Sequence, residues 1–331
     1  MTSVGKRRLG TAGLEVSSIG LGCMGMTAAY GPAGDEAESI ATIRAAFDQG
    51  VTLFDTADIY GPFVNEELVG RAVRGLPRDE VVIATKFANV VDEFGPRIDG
   101  RPAYVRAACE ASLRRLGVDH IDLYFQHRVD PSVPVAETWG AMAELVSDGL
   151  VRYLGISEAS ERSLRAANEV HRVTCGQYEM SMFTREYEMT ILPALRDIGA
   201  GFMAFSPLGR ALLAGGIAPG ATFGSDDYRS RMPRFQAENL DHNIRLLEVV
   251  RKMAEEKRCT LGQLALAWLL QLGADIVPIP GTKRRAHLLD NLGAVDVEIT
   301  DADRSRIDAA LPVGAAQGAR YDERQGRTIN R

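Results

Sequence analysis

The chain has 331 residues, of which 46% are hydrophobic and 25% are charged, so it contains enough apolar material for a large folded core. Lysine and arginine together number 38 against 44 for aspartate and glutamate, and the net charge of −6 argues against binding to nucleic acid or to an anionic membrane surface. A small molecule is therefore the expected partner.

The cysteines and the apolar segments indicate a cytoplasmic protein. Cys23, Cys109, Cys175 and Cys259 are far apart in the sequence, which is typical of free thiols in a reducing compartment rather than of a disulfide framework or a zinc knuckle. The N-terminus lacks the apolar stretch of a signal peptide. The most apolar window, residues 261–273, is shorter than the roughly 20 residues that span a bilayer. We expect no membrane segment and no metal site.

Short runs rich in Val, Ile and Phe predict eight β-strands along the chain. They fall at residues 17–22, 51–56, 80–87, 120–127, 151–157, 175–180, 201–207 and 274–281. Segments with helical periodicity separate them, and most of these segments end at a glycine, as helix C-termini commonly do. A helix between two successive strands predicts that the strands pair in parallel. Eight such units in succession predict a closed (β/α)8 TIM barrel.

The main alternative to a barrel is an open, doubly wound sheet that binds a dinucleotide. The glycine-rich segment GLGCMG, residues 20–25, leads into AAYGPAGDE rather than into the helix that the dinucleotide fingerprint requires. The barrel is therefore favoured, as a single domain over residues 1–331.

Three stretches near the C-terminus extend the barrel pattern. Residues 208–237 are rich in Gly, Ser, Arg and Pro and are predicted to form a mobile loop over the barrel mouth. One helix is predicted over residues 239–258, followed by an apolar helix that packs on the barrel wall. The polar tail, residues 313–331, is expected to be a loose cover or disordered.

Four polar residues stand at the ends of neighbouring predicted strands. Asp55 ends the second strand, Tyr60 follows it, Lys86 ends the third and His127 ends the fourth. Because the C-terminal ends of barrel strands meet at one mouth, these side chains are expected to converge on one point. Taken singly they have ordinary explanations: a turn cap, a surface aromatic, a lysine that reaches to solvent and a structural histidine. The combination is more informative than any one member.

These residue types suit proton donation to a carbonyl oxygen. A tyrosine has a pKa of about 10, and the ammonium group of Lys86 would lower that value at Tyr60. Asp55 would keep the buried lysine charged through a charge-assisted hydrogen bond. His127 would donate a hydrogen bond to the substrate oxygen or relay a proton. Neither a nucleophile nor a metal site accompanies them, so the reducing equivalent is expected to come from a cofactor.

At these positions the sequence resembles the aldo-keto reductase superfamily. The matching blocks run in order from about residue 7 to residue 312 and include LFDTADIYG, ATKF, SLRRLGVDHIDLYFQH, YLGIS, FSPLGRALLAGG and IPGTKRRAHLLDN. The HRVDP, SEAS and IPGTKR stretches are most similar to the plant and bacterial branch that includes perakine reductase. The resemblance implies an oxidoreductase that reduces an aldehyde or ketone with NADPH, with Asp55, Tyr60, Lys86 and His127 as its catalytic tetrad and Tyr60 as the general acid.

The resemblance also implies which residues bind the cofactor. Ser157 and Gln177 would hold the nicotinamide carboxamide, and Phe205 stands where the family usually stacks a tyrosine on the ring. Glu158 stands where the family usually has asparagine. The complete implied set is Gly22, Cys23, Met24, Asp55, Ser157, Gln177, Phe205, Ser206, Pro207, Leu208, Gly209, Arg210, Ile279, Gly281, Thr282, Lys283, Arg284, His287, Asp290 and Asn291.

Within that set, two segments would bind phosphate groups. The backbone N–H groups of Ser206–Arg210 would follow the pyrophosphate, and Arg210 would add charge. Gly281 and Thr282 precede a predicted helix N-terminus, and the charges of Lys283 and Arg284 would favour the 2′-phosphate of NADPH. His287 stands where many relatives carry arginine, which implies a weaker or pH-dependent preference for NADPH.

The substrate pocket is the least defined part of the prediction. Candidate lining residues are Met24, Tyr30, Phe63, Phe87, Arg128 and the 208–237 loop. Most are apolar or aromatic, which favours a hydrophobic aldehyde or ketone. Two alternatives stay open: a non-enzymatic regulatory subunit of the same superfamily that senses nucleotide, and a metal-assisted, phosphate-binding barrel enzyme, for which the sequence offers no ligand cluster.

Overall fold

A computed structural model describes residues 4–27, 29–92 and 95–330. Residues 1–3 and 331 of the single domain predicted over 1–331 lie outside the described residues. The strands among the described residues are β1 (Lys6–Arg8), β2 (Glu15–Ser17), β3 (Leu21–Gly22), β4 (Leu53–Asp55), β5 (Val82–Phe87), β6 (Asn89–Asp92), β7 (Gly95–Ile98), β8 (Ile121–Gln126), β9 (Val151–Ser157), β10 (Cys175–Glu179), β11 (Gly201–Phe205) and β12 (Ile276–Pro278).

Eight of these strands form the predicted barrel. They are parallel and follow the order β3, β4, β5, β8, β9, β10, β11, β12. A parallel bridge between Gly22 and Gly281 joins the two ends, so the sheet closes and the (β/α)8 prediction is confirmed. A Cβ atom at Gly22 would lie 2.9 Å from the Ile279 carbonyl oxygen, so closure at this point requires glycine.

Helices cover the outside of the barrel. They are α1 (Glu36–Asp48), α2 (Val64–Val73), α3 (Pro102–Leu116), α4 (Val135–Ser147), α5 (Glu161–Val170), α6 (Ile191–Asp197), α7 (Ala237–Leu246), α8 (Glu248–Glu256), α9 (Leu261–Gln271), α10 (Arg285–Leu292), α11 (Asp301–Ala310) and α12 (Glu323–Gly326). The single helix predicted over 239–258 is wrong, because buried Leu247 separates α7 from α8 and donates to Ile244, three residues back. The helices of the described chain are too short or too polar to cross a membrane.

The barrel interior is filled in layers. Alternate residues of the strands point inward and form an apolar cluster that includes Leu53, Ala84, Leu123, Phe125, Cys175, Met203 and Val277. The β1–β2 hairpin, which the sequence patterns do not predict, closes the bottom with Leu9, Leu14 and Val16. The next inward positions toward the mouth are polar: Asp55 follows Leu53, Lys86 follows Ala84 and Gln177 follows Cys175 by two residues. The change from apolar to polar places the site at the mouth.

Two segments cover this mouth. The predicted 208–237 loop contains 3-10 helices at Tyr228–Arg231 and Pro233–Phe235, and its mobility stays a prediction. The tail, expected to be a loose cover or disordered, packs on the mouth over the described residues up to 330, where Tyr321 is buried and Gly318 packs against Pro233, and its looseness stays a prediction. Asn330 accepts hydrogen bonds from the backbone and hydroxyl of Ser160, the N-cap of α5. The tail therefore contacts both the 208–237 loop, at Pro233, and the start of α5, at Ser160.

Candidate active site

The four polar residues predicted to converge lie together at the barrel mouth. Asp55 ends β4, Lys86 is the inward residue before the end of β5, and His127 directly follows β8. Tyr60 lies in the turn between β4 and α2. Asp55 and Lys86 point inward because they continue the inward-facing registers of Leu53 and Ala84, so the strand period itself aims them at one another.

Lys86 forms the centre of the cluster. Its Nζ atom donates to Asp55 Oδ1 at 2.6 Å, to the Thr56 carbonyl oxygen at 2.7 Å and to Tyr60 Oη at 3.3 Å. An ammonium group has three protons, so these contacts satisfy it completely. The second oxygen of Asp55, Oδ2, accepts from Gln177 Nε2 at 2.7 Å.

Burial and pairing act in opposite directions on the pKa values of this ion pair. Burial raises the pKa of Asp55, while Lys86 and Gln177 oppose that shift. Burial also lowers the pKa of Lys86, but Asp55 and Tyr60 outweigh it and the pKa of the amine is raised. The lysine therefore stays a cation inside the barrel.

Tyr60 lies close to the charged amine of Lys86. Lys86 Nζ lies 5.0 Å from the centre of the Tyr60 ring as well as within reach of its hydroxyl. The net shift differs from the one predicted: burial raises the pKa of Tyr60, and Lys86 lowers it only in part. The phenol is consequently protonated at neutral pH, with a cation beside it that stabilises its conjugate base.

His127 completes the group across from the tyrosine. The two rings are 6.0 Å apart between centroids and meet edge to face. Burial holds the pKa of His127 well below its ordinary value, and the charges of Arg128 and Lys86 lower it further. Its Nδ1 atom is buried without a hydrogen-bond partner among the described residues. The side chain is therefore a neutral imidazole whose other ring nitrogen, Nε2, has no hydrogen-bond partner among the described residues and is the one open to a ligand.

The residues predicted to hold the nicotinamide lie around this cluster. Ser157 ends β9 and Gln177 lies in β10, and the two are directly paired across the sheet. Phe205 ends β11 and is half-buried at the mouth. Gly22 and Cys23 lie on the other side, where Cys23 donates its N–H to the Asp55 carbonyl oxygen at 2.9 Å. Met24 begins a 3-10 helix, Met24–Met26.

The segment after β11 has an unusual backbone. Ser206, Gly209, Arg210 and Ala211 have positive φ angles of 48°, 54°, 55° and 77°, a conformation that costs energy in every residue other than glycine. Among the residues that the structure describes, the N–H groups of Leu208, Arg210 and Ala211 have no backbone hydrogen-bond acceptor. Successive main-chain donors of this kind occur in backbone concavities that bind anions. Pro207 has no N–H group and contributes no donor.

Arg210 is engaged elsewhere in this structure. Its guanidinium donates to Glu179 Oε2 at 2.8 Å and is buried, so its charge is already compensated by a protein carboxylate. The predicted contribution of Arg210 to pyrophosphate binding stays a prediction. Glu158, which replaces the usual asparagine, is also committed: its carboxylate accepts from Arg320 at 3.0 Å and from the backbone N–H of Glu179 at 2.9 Å.

Together these residues form a buried charged cluster that the sequence patterns do not predict. We call it the mouth clamp and define it as Glu158, Glu179, Arg210 and Arg320. Tyr321 lies beneath both guanidinium groups, 5.2 Å from that of Arg210 and 5.4 Å from that of Arg320. The only signal in the sequence is an Arg-Tyr pair in an otherwise polar tail.

The residues predicted for the adenosine end lie beside the closure of the barrel. Ile279, Gly281 and Thr282 follow β12. Helix α10 begins at Arg285, whose N–H donates to Glu38 Oε1 at 3.4 Å. Lys283 donates to the Pro32 carbonyl oxygen at 2.8 Å. The remaining predicted residues differ in exposure: Arg284 and His287 are exposed, Asp290 is half-buried and Asn291 is buried.

One predicted pocket residue is misplaced. Phe87 has no exposed surface and stacks on Tyr124 with ring centroids 5.1 Å apart. It points into the helix layer because its neighbour Lys86 points into the barrel. Phe63 is 49% exposed and packs under Arg115, 4.7 Å from its guanidinium. Tyr30 is half-buried near Arg229 of the 208–237 loop.

Within residues 4–27, 29–92 and 95–330, no three His, Cys, Asp or Glu side chains are grouped so that they could hold a metal ion. The four cysteines are free thiols. The chemistry that these residues can perform themselves is proton donation beside a buried cation.

The chain belongs to the aldo-keto reductase family. The model described as "Aldo/keto reductase family" matches residues 18–312, and the predicted resemblance is confirmed. Probable aldo-keto reductase 1 from Glycine max is 46% identical over 316 residues, which cover 95% of this chain and 91% of that protein. The protein is thus an oxidoreductase of a family that uses nicotinamide cofactors and acts on small carbonyl substrates.

Solved structures agree with this assignment. The glycerol dehydrogenase from Gluconobacter oxydans is similar with a TM-score of 0.85 and 30% identity, and the match covers 94% of this chain and 96% of that one. An aldo/keto reductase from Klebsiella pneumoniae, solved in complex with NADP and acetate, has a TM-score of 0.74 and 26% identity, with 97% and 99% of the chains covered.

Proposed function

We propose that this protein reduces an aldehyde or ketone to an alcohol with NADPH, and that Tyr60 is the general acid. The observation that carries the proposal is the set of contacts made by Lys86, whose buried ammonium donates both to Asp55 and to the Tyr60 hydroxyl. When a carbonyl oxygen gains negative charge, Tyr60 can donate its proton while Lys86 stabilises the phenolate that remains.

The other two members have supporting roles. Asp55 is a positioning residue, because it holds the Lys86 ammonium through a 2.6 Å contact and has no separate path to the substrate. His127 is neutral, and its Nε2 atom, unlike the buried Nδ1 atom, is open to a ligand, so it can donate a second hydrogen bond to the carbonyl oxygen. Two donors on one oxygen fix its orientation and stabilise the developing alkoxide.

The residues at the mouth fit a bound nicotinamide dinucleotide. The N–H groups of Leu208, Arg210 and Ala211 suit a pyrophosphate. The N-terminus of α10, where Glu38 accepts from the N–H of Arg285 at 3.4 Å, suits a further phosphate at its next N–H groups. Ser157 and Gln177 have side-chain polar groups for the carboxamide, and Phe205 has a half-buried ring for stacking. When bound, NADPH supplies the hydride that the protein's own side chains cannot supply.

Preference for NADPH over NADH is part of the proposal. Lys283 and Arg284 bring two cations next to the α10 N-terminus, where a 2′-phosphate would gain from both charge and helix dipole. Fluorescence titration with each nucleotide is expected to give at least about tenfold tighter binding of NADPH, which corresponds to about 1.4 kcal/mol. Equal affinities would contradict this preference and leave the reaction class untouched.

The substitution Tyr60→Phe tests the central role. It keeps the ring and removes the proton, so we expect carbonyl reduction to fall at least about 100-fold while NADPH still binds. Tyr153→Phe is the matched control, since Tyr153 packs in the lower barrel interior and is expected to retain turnover. Wild-type rates in Tyr60→Phe would refute the assignment. NADPH binding without turnover on any carbonyl would instead favour the nucleotide-sensing alternative.

The free thiols and the negative net charge favour a cytoplasmic location as part of this proposal. Fractionation of cells that express the full chain would test it. Recovery with the cytoplasmic fraction is the expected result, and recovery with membranes would contradict it.

A further inference from the structure

Arg128 lies next to the reacting group of the proposed reductase. It follows His127 at the mouth end of β8, and its side chain is half-buried. Its Nη1 atom donates to the His127 carbonyl oxygen at 2.8 Å and lies 3.5 Å from Ser157 Oγ. The guanidinium is therefore fixed between the proposed proton donor site and the proposed carboxamide site.

The charge of Arg128 is not neutralised by the protein. Among the described residues, no carboxylate oxygen comes within 4.0 Å of its guanidinium nitrogens. Four other cations around the mouth have such a partner: Lys86 with Asp55 at 2.6 Å, Arg210 with Glu179 at 2.8 Å, Arg320 with Glu158 at 3.0 Å and Arg229 with Asp227 at 2.6 Å. The positive charge of Arg128, next to His127, is thus not compensated by a protein carboxylate among the described residues.

Arg128 also has unused hydrogen-bond donors. Both of its contacts use Nη1, so Nε and Nη2 have no acceptor in the described part of the chain. Neither atom is sealed inside the protein without a partner. A guanidinium with adjacent N–H groups free can bind a carboxylate through two parallel hydrogen bonds.

The electrostatic reach of this charge extends to the reacting centre. After burial, Arg128 has the largest effect in lowering the pKa of His127, larger than that of Lys86. Arg128 also lowers the pKa of Tyr60, although by less than burial, Lys86 and Asp55 change it. A ligand anion bound to Arg128 would therefore be held close to a carbonyl placed against Tyr60 and His127.

We propose that Arg128 is a specificity-determining residue that binds a carboxylate on the substrate. The inference rests on the proposed reductase function and narrows its substrate class to aldehydes or ketones that carry a carboxylate. The hydrophobic or aromatic body expected from the sequence remains compatible with such a substrate. In the chemical step Arg128 transfers no proton, because it acts only in binding and orientation.

Two substrates that share a ring and an aldehyde, of which one carries an anion, test the proposal. 4-Carboxybenzaldehyde and its methyl ester share the ring and the carbonyl, and only the first carries an anion. For the wild-type protein with NADPH we expect kcat/KM to be at least about tenfold higher for the acid, since only the carboxylate can accept charge-assisted hydrogen bonds from Arg128. Arg128→Met is expected to bring the ratio of acid to ester to about one or below, and Arg128→Lys to keep part of it.

Controls separate a local contact from a general charge effect. Arg231→Met removes an exposed cation of the 208–237 loop, and its ratio of acid to ester is expected to match the wild type. Circular dichroism and NADPH titration verify folding of each variant. If Arg128→Met does not fold, the comparison of wild type with Arg128→Lys decides. Equal kcat/KM for acid and ester in the wild type, or an unchanged ratio in every Arg128 variant, overturns the inference.

A binding measurement distinguishes failure of this inference from failure of the proposed function. 4-(Hydroxymethyl)benzoate and its methyl ester are titrated into the protein with NADP⁺ present, and no turnover is needed. Tighter binding of the acid that Arg128→Met abolishes supports the carboxylate site even if no aldehyde is reduced. Equal binding of acid and ester overturns the site, whether or not the protein is a reductase.

Discussion

Lys86 Nζ lies 2.6 Å from Asp55 Oδ1, and neither side chain is more than 5% exposed. Two opposite charges at this depth depend on each other, because removal of one leaves the other buried without a counter-ion. The same Lys86 Nζ atom also donates to Tyr60 Oη. It therefore contributes both to the stability of the buried ion pair and to the proposed proton donation.

A double-mutant cycle on this pair separates the two roles. Lys86→Met is expected to lower the free energy of unfolding by about 3–5 kcal/mol, since Asp55 keeps only Gln177 as a partner. Asp55→Asn in the same chain should restore much of that stability by removing the orphaned charge. Carbonyl reduction should stay at least about 100-fold below wild type in the single and double variants. A double variant as unstable as Lys86→Met alone would contradict the electrostatic explanation.

The pH dependence of reduction follows from the directions of two pKa shifts. Burial keeps His127 neutral well below its ordinary pKa and keeps Tyr60 protonated above its own. We therefore expect kcat/KM for a neutral aldehyde to be level from about pH 6 to about pH 9 and to fall only at higher pH, as Tyr60 loses its proton. A descending acid limb near pH 6.5 that disappears in His127→Gln would show that the histidine is charged there.

The lowered pKa of His127 should also make the free energy of unfolding depend on pH. In the unfolded chain a histidine takes up a proton below about pH 6.5, whereas the folded protein resists it. The stabilising contribution is thus complete above pH 6.5 and is lost as pH falls below that value. Urea unfolding at pH 7.5 and pH 5.5 should show a larger acid loss for wild type than for His127→Gln. Equal losses would contradict the lowered pKa.

The mouth clamp makes a prediction about the tail. Arg320→Ala would leave Glu158, which has no exposed surface, without its guanidinium partner, at a cost of about 3–5 kcal/mol. Arg327→Ala is the control: its pair with Glu323 is 3.9 Å long with both side chains largely exposed, and such pairs contribute about 0–1 kcal/mol. Urea unfolding and limited proteolysis of the tail measure both. Similar losses for the two variants would show that the clamp does not fasten the tail.

The sequence is informative about the barrel and its mouth because both depend on local pattern. Strand period places Lys86 inward and the chain order places β4, β5 and β8 side by side, so convergence of the four polar residues is predictable before any coordinates. The same period, applied to Phe87, would have excluded it from the pocket. The prediction of a lowered Tyr60 pKa was wrong in its net direction because burial, which sequence alone does not measure, outweighs the lysine.

The packing of the tail could not be predicted from sequence patterns, for a different reason. Arg320 and Glu158 are 162 residues apart, and neither lies in a motif that points to the other. A polar, glycine-rich segment has the composition of a disordered tail until its long-range partners are known. The same limit applies to Arg128, whose importance comes from the absence of a nearby carboxylate, and only the assembled charges of the described residues show that.

Asp58 gives a final prediction, outside the proposed reaction. It is 2% exposed, and its Oδ1 atom has no partner among the described residues. Burial first, and then the charge of Glu66, raise the pKa of Asp58 to about 8. The folded protein therefore retains a proton that the unfolded chain releases near pH 4, so this group destabilises the fold as pH rises from about 4 to about 8, by up to about 1.4 kcal/mol per pH unit.

Asp58→Asn should remove that slope and raise the free energy of unfolding more at pH 8 than at pH 5. Asp79→Asn, at an exposed position, is the control in the same urea titrations, and equal gains at both pH values in Asp58→Asn would show that Asp58 is ionised in the fold.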